Sequence, residues 1–101
     1  TQMNKQVRKD AGYFLLDRLL VAAIIERRGA ERFGLVAEHI TEPALKKFYA
    51  AITASEERHW QLFVELAWQH CPAEEIQPRF NQLAAYENHL VSTLPVTASL
   101  H

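Results

Sequence analysis

Residues 40–47, Ile-Thr-Glu-Pro-Ala-Leu-Lys-Lys (ITEPALKK), interrupt a chain that is otherwise helical in its patterning. Before this stretch, apolar residues recur at helical spacing from about Tyr13 to His39, which at 1.5 Å per residue makes a helix of about 40 Å. Thr41 is the expected N-cap of the next helix, and Pro43 is tolerated in its first turn. That helix should run from about Glu42 to Gln69 and stop before Cys71-Pro72, because the residue before a proline disfavours helix. The segment PAEEIQP, residues 72–78, supplies a turn with acids suited to a helix start, and a third helix is expected from about Pro78 to Leu94, ended by Pro95. No β-type alternation occurs. The sequence therefore predicts an all-α fold, with a long antiparallel helix hairpin and a third helix packed against it. Residues 1–101 read as one domain, with flexible ends at 1–12 and 95–101. The polar, basic opening is a frayed end or a short helix.

Composition narrows the class. The chain has 101 residues, 49% of them hydrophobic, enough for one compact core near the lower size limit. A net charge of −1 points to no global basic field for nucleic acid, although Lys5, Arg8, Lys9, Lys46 and Lys47 are local candidates for phosphate contacts. Such charges also serve as ordinary solvated faces. The single cysteine, Cys71, excludes an internal disulfide framework and fits a reducing compartment. The longest apolar run, Leu19 to Ile25, is too short to span a bilayer. A cytoplasmic protein with no membrane partner is expected. No P-loop, Gly-rich nucleotide fingerprint or nucleophile triad competes for a site, and His39, His70, His89 and His101 are scattered.

The informative charges are those on apolar faces. Glu26 has Leu19, Ala22, Ala23, Gly29, Ala30 and Phe33 at helical offsets, none of them polar. Glu56 lies in the stripe Tyr49, Ile52, Glu56, His59, Phe63, Leu66, and Glu87 falls among Phe80, Leu83, Ala84, Leu90, Val91 and Leu94. Glu31, near Arg27 and Arg28, reads as a surface or ion-paired acid. An apolar interior admits a carboxylate only if it is protonated, ion-paired or metal-bound. One reading pairs these acids with Arg18, Arg27, Arg32, Arg58 or Arg79 and makes His59 an ordinary core histidine. The other takes Glu56-x-x-His59 as a metal-ligand motif, since this spacing puts carboxylate and imidazole on one helix face. Register bears on the choice. Glu26 and Glu56 are 30 residues apart with the turn midway between them, so an antiparallel hairpin brings them to the same level. Gly29 and Ala30, one turn from Glu26, either leave room for a small molecule or allow close helix packing.

Three stretches, LLDRLLVAAIIERRGAERF (15–33), FYAAITASEERHW (48–60) and RFNQLAAYENHL (79–90), resemble the C-terminal half of the tRNA-isopentenyladenosine hydroxylases, the MiaE family. The resemblance covers roughly residues 13–94. It implies a ferritin-like bundle with a non-haem di-iron site that uses dioxygen to hydroxylate the isopentenyl group of a hypermodified adenosine beside the anticodon. It implies Glu26, Glu56 and His59 as metal ligands, and Glu87 and Arg79 as supporting or ion-pair residues. Two positions depart from the family pattern. Arg27-Arg28-Gly29-Ala30 stands where the family commonly has Ala-Arg-Ser-x, and Trp60 stands where it commonly has Phe. The family's other glutamate and other Glu-x-x-His have no counterpart in residues 1–25.

Three donors are half of the usual dinuclear set. A two-fold homodimer would supply the other half and complete the bundle with a second chain. Carboxylates and imidazole suit iron, and also manganese or zinc. Two rival readings are a ferritin-like metal-binding dimer without tRNA activity and a catalytically silent fragment or interaction module.

Overall fold

A computed structural model of the chain describes residues 2–93. After a 3-10 turn at Met3–Gln6, the chain forms α1 (Ala11–His39), α2 (Pro43–His70) and α3 (Ala73–Thr93). Among the described residues there are no strands, and the all-α expectation holds. The expected flexible end at 95–101, and His101 with it, lies outside the described residues. At the other end Met3 and Val7 are buried in the core.

The hairpin turn is built by side chains that satisfy exposed helix ends. The carbonyl of Val36 accepts from the Ile40 N–H, and Lys46, from the first turn of α2, donates its Nζ to the carbonyls of Ala37 and Glu38. A lysine on terminal carbonyls also meets the negative end of the α1 dipole. Lys46 thus staples the turn. The N-cap of α2 is Glu42, not Thr41. Its carboxylate accepts from the N–H groups of Ala44 at 3.1 Å and Leu45 at 2.8 Å, next to Pro43, which has no N–H to satisfy. The third helix begins at Ala73, earlier than expected, because Glu74 and Glu75 favour its positive end and Ile76 anchors the first turn in the core. Pro78 therefore lies inside α3 and not at its start.

The core gathers Leu16, Leu20, Val21 and Ile24 of α1, Ala67 of α2, and Ile76 and Leu83 of α3, with Met3 and Val7 closing one side. It occupies the end of the molecule away from the hairpin turn. Near the turn, Phe33 stacks on Tyr49, and Leu35, Val36, Leu45 and Phe48 remain exposed. Ala67 is the only residue of α2 that is fully buried, although the helix carries Phe48, Leu62 and Trp68 at 56%, 49% and 51% exposure. A 28-residue helix buried so sparsely has an uncovered apolar face.

Asp17 has no solvent exposure and lies at the centre of the core. Its carboxylate accepts from the N–H, Nε and Nη2 of Arg8 and from Nε and Nη2 of Arg79, at 2.9–3.0 Å. A further Arg79 Nη2 bond reaches the Gln6 carbonyl. Burial works to raise the Asp17 pKa, but the bonds from Arg8 and Arg79 outweigh it and hold the carboxyl well below its ordinary range. Asp17 shares most of the pattern that marks Glu26, with Tyr13, Phe14, Leu20, Val21 and Ile24 at helical offsets and Asp10 the one charged exception.

Replacing Asp17 by Ala leaves two arginines facing an apolar site and should cost about 3 kcal/mol, near the low end for broken buried pairs because Arg8 reaches solvent. Urea denaturation reads that loss. Since the folded pKa is depressed, the stabilisation is present above the unfolded carboxyl pKa of about 3.9 and fades as pH falls below it. An Asp17→Asn protein should lack that acid limb in its stability profile.

Candidate metal centre

α1 carries Glu26 midway between the core and the hairpin turn, and α2 brings Glu56 and His59 to the same level. One ligand atom from each of Glu26, Glu56 and His59 lies within 4.8 Å of the other two. The register read from the turn is realised in space. Both glutamates are half-buried, whereas His59 is exposed, contrary to the expectation that it faces the interior. His59 lies on a helix of which the described residues bury only Ala67, and no described residue covers it.

Among the described residues the ion pairs run Arg8–Asp17, Arg79–Asp17, Arg28–Glu87 and Arg28–Glu31, and none uses Glu26, Glu56 or His59. Glu87, 7% exposed, is gripped by Arg28 through Nε at 2.7 Å and Nη2 at 2.8 Å. The third arm of Arg28 reaches Glu31 at 2.9 Å. Helical spacing offers Arg28 to Glu31, and that pair forms, but it does not offer Arg28 to Glu87. That partner lies 59 residues away, and no local pattern reveals such a pair. Arg79, an ion-pair candidate from the sequence, pairs with Asp17. Glu57 lies off the cluster and accepts from the Trp60 indole at 2.8 Å, which gives the departure at position 60 a polar partner.

A cavity of about 450 Å³ opens beside the carboxylates. Met3, Ile25, Leu90 and Val91 form its apolar wall, and Glu26, Gly29 and Glu56 its end. The Arg28–Glu87 pair closes another side. Of the two small residues near Glu26, Ala30 is packed at 2% exposure, and Gly29 faces Glu56. Arg8 and Lys46, two of the phosphate-contact candidates, are committed to Asp17 and to the α1 carbonyls.

Comparison with known proteins follows the same outline. The family described as tRNA-(MS[2]IO[6]A)-hydroxylase (MiaE) matches residues 1–101. Over 89 residues, 88% of the chain, 37% are identical to the tRNA 2-(methylsulfanyl)-N(6)-isopentenyladenosine(37) hydroxylase of Salmonella typhimurium, of which the match covers 32%. A protein of the same name from Pseudomonas putida is 32% identical over 91 residues, 90% of this chain and 44% of that one. Among solved structures, Protein 43 with aldehyde deformylating oxygenase activity from Synechococcus superposes with a TM-score of 0.85 at 37% identity, covering 93% of this chain and 47% of that one. The fold is ferritin-like. The chain spans between about a third and a half of the length of these proteins.

The Arg28–Glu87 pair can be tested directly. Arg28→Met should destabilise the chain by about 3 kcal/mol by stranding a buried carboxylate. The double replacement Arg28→Met/Glu87→Met should recover part of this, giving a coupling of about 1–3 kcal/mol in a urea-denaturation cycle.

Proposed function

The chain belongs to the MiaE family of tRNA hydroxylases, and from that premise we propose that it is half of a non-haem di-iron hydroxylase acting on the isopentenyl group of 2-methylthio-isopentenyladenosine in tRNA. The observation that carries the reading is the convergence of Glu26, Glu56 and His59 to within 4.8 Å, with none of them spent in an ion pair among the described residues. Two carboxylates and an imidazole fit iron as donors, and fit manganese or zinc as well. Glu26, Glu56 and His59 would hold the metal.

Three donors are half of a dinuclear carboxylate set. A second copy, related by a two-fold axis across the uncovered face of α1 and α2, would bring the other three and cover Ile25 and Leu62. Bound iron supplies the reductive activation of dioxygen, in which one atom enters a substrate C–H bond and the other leaves as water, with two electrons and two protons from an external donor. The chain's own residues shape what reaches that point. Met3, Ile25, Leu90 and Val91 give an isopentenyl-sized apolar group a dry wall beside the carboxylates. The ion pair of Arg28 and Glu87 holds α3, and with it Leu90 and Val91, against α1. Lys5, Lys9 and Lys47 remain for phosphate contacts. This reading locates the protein with its tRNA substrate in the cytoplasm; no described helix is long and apolar enough to cross a membrane.

The likeness to an aldehyde deformylating oxygenase and the apolar cavity wall favour one second reading, a dimeric metal-dependent protein with no activity on tRNA.

Sedimentation of the iron-reconstituted chain should give a dimer with two irons, and Glu56→Ala should lose the metal. Incubation with dioxygen, reductant and tRNA bearing the isopentenylated nucleoside should add one oxygen to it, read by nucleoside mass spectrometry. Metal and dimer without that oxygen would favour the second reading. A stable monomer without metal would leave a silent module.

A further inference from the structure

Gly29 stands where α1 meets the Glu56 carboxylate. A Cβ built on it would lie 3.2 Å from Glu56 Oε2, tighter than ordinary contact, and an ordinary 3.8 Å from its Cδ. At Gly34, in the same helix, a Cβ would meet Thr53 Cγ2 at an ordinary 3.6 Å, and at Gly12 it would meet nothing within 4 Å. No glycine of the described residues has positive φ, so the backbone makes no demand for glycine at position 29. A glycine inside a helix is unfavourable relative to alanine. What Gly29 contributes is the space of its missing side chain.

That space is occupied by Glu56. The backbone beside it cannot easily retreat: Arg28 is tied to Glu87 of α3 and to Glu31, and Ala30 is packed at 2% exposure. A side chain at 29 is therefore accommodated by displacing the Glu56 carboxylate. We propose that Gly29 is a positioning residue that lets the Glu56 carboxylate lie against α1 within reach of Glu26, setting the affinity of the centre for metal. The proposal rests on the assignment of Glu26, Glu56 and His59 as ligands. Ligand carboxylates depend on close control of position, and displacements well under an ångström are felt.

The test is Co(II) titration of the full chain, followed by visible absorption, with thermal melting of each metal-free protein in parallel. Gly29→Ala should weaken Co(II) binding about three- to tenfold and Gly29→Val more than about tenfold, while Gly34→Ala stays within about twofold of the parent. Metal-free Gly29→Ala and Gly34→Ala should melt at or above the parent temperature, as the gain in helix propensity requires. If both Gly29 variants bind as the parent does while Glu56→Ala abolishes binding, the role of Gly29 is overturned and the ligand assignment stands. A metal-free Gly29→Ala protein that melts well below the parent would also overturn it, because the glycine would then serve packing. If the parent itself takes up no Co(II), the ligand assignment falls and the role of Gly29 with it.

Discussion

Asp17, sealed from solvent and held by five hydrogen bonds from two arginines, is the joint on which the molecule is assembled. Arg8 comes from the segment before α1 and Arg79 from α3, so a single carboxylate fastens three parts of the chain. An isolated buried charge would be very costly; two guanidiniums and a set of well-formed bonds make it an anchor with a defined geometry. The apolar residues around it, Leu16, Leu20 and Leu83, complete the join. Arg28 and Glu87 make a second tie between α1 and α3 farther along. Together these pairs commit Arg8, Arg28 and Arg79 to Asp17, Glu87 and Glu31.

With those cations committed elsewhere, Glu26 and Glu56 approach each other across the hairpin outside every ion pair of the described residues. The arrangement separates two kinds of acid. Asp17 and Glu87, which hold helices together, are closed off by arginine, whereas Glu26 and Glu56 enter none of these ion pairs. The uncovered flank of α2, with His59 and Leu62 on it, fits a chain that spans a third to a half of its relatives. A helix that buries one residue in 28 leaves most of its apolar stripe uncovered by the described residues.

Much of the fold was legible in the patterning. The apolar period ended α1 at His39, as observed, and Cys71-Pro72 ended α2 within one residue of its expected stop. The start of α3 departs from the expected boundary at Pro78, because the acids before it and the buried Ile76 already belong to the helix. Thr41 was expected to cap α2, but Glu42 can reach two N–H groups of the first turn and does so. Within the site, Glu26 and Glu56 stood out as acids on apolar faces. Asp17 bears a weaker form of this mark, because Asp10 stands at one of its helical offsets. Helical spacing shows Arg28 beside Glu31 but not its tie to Glu87, since a salt bridge to a residue 59 positions away leaves no trace in local patterning.

By itself the sequence determined the hairpin and the level at which its two glutamates meet. Helical rise is constant, so equal distances from a turn become equal heights along antiparallel helices. Only the tertiary structure decided which acid each arginine serves, that His59 stays exposed, and that the space at Gly29 belongs to Glu56. Those outcomes depend on side chains from separate helices competing for the same volume and the same charges, and one-dimensional spacing carries no information about that competition.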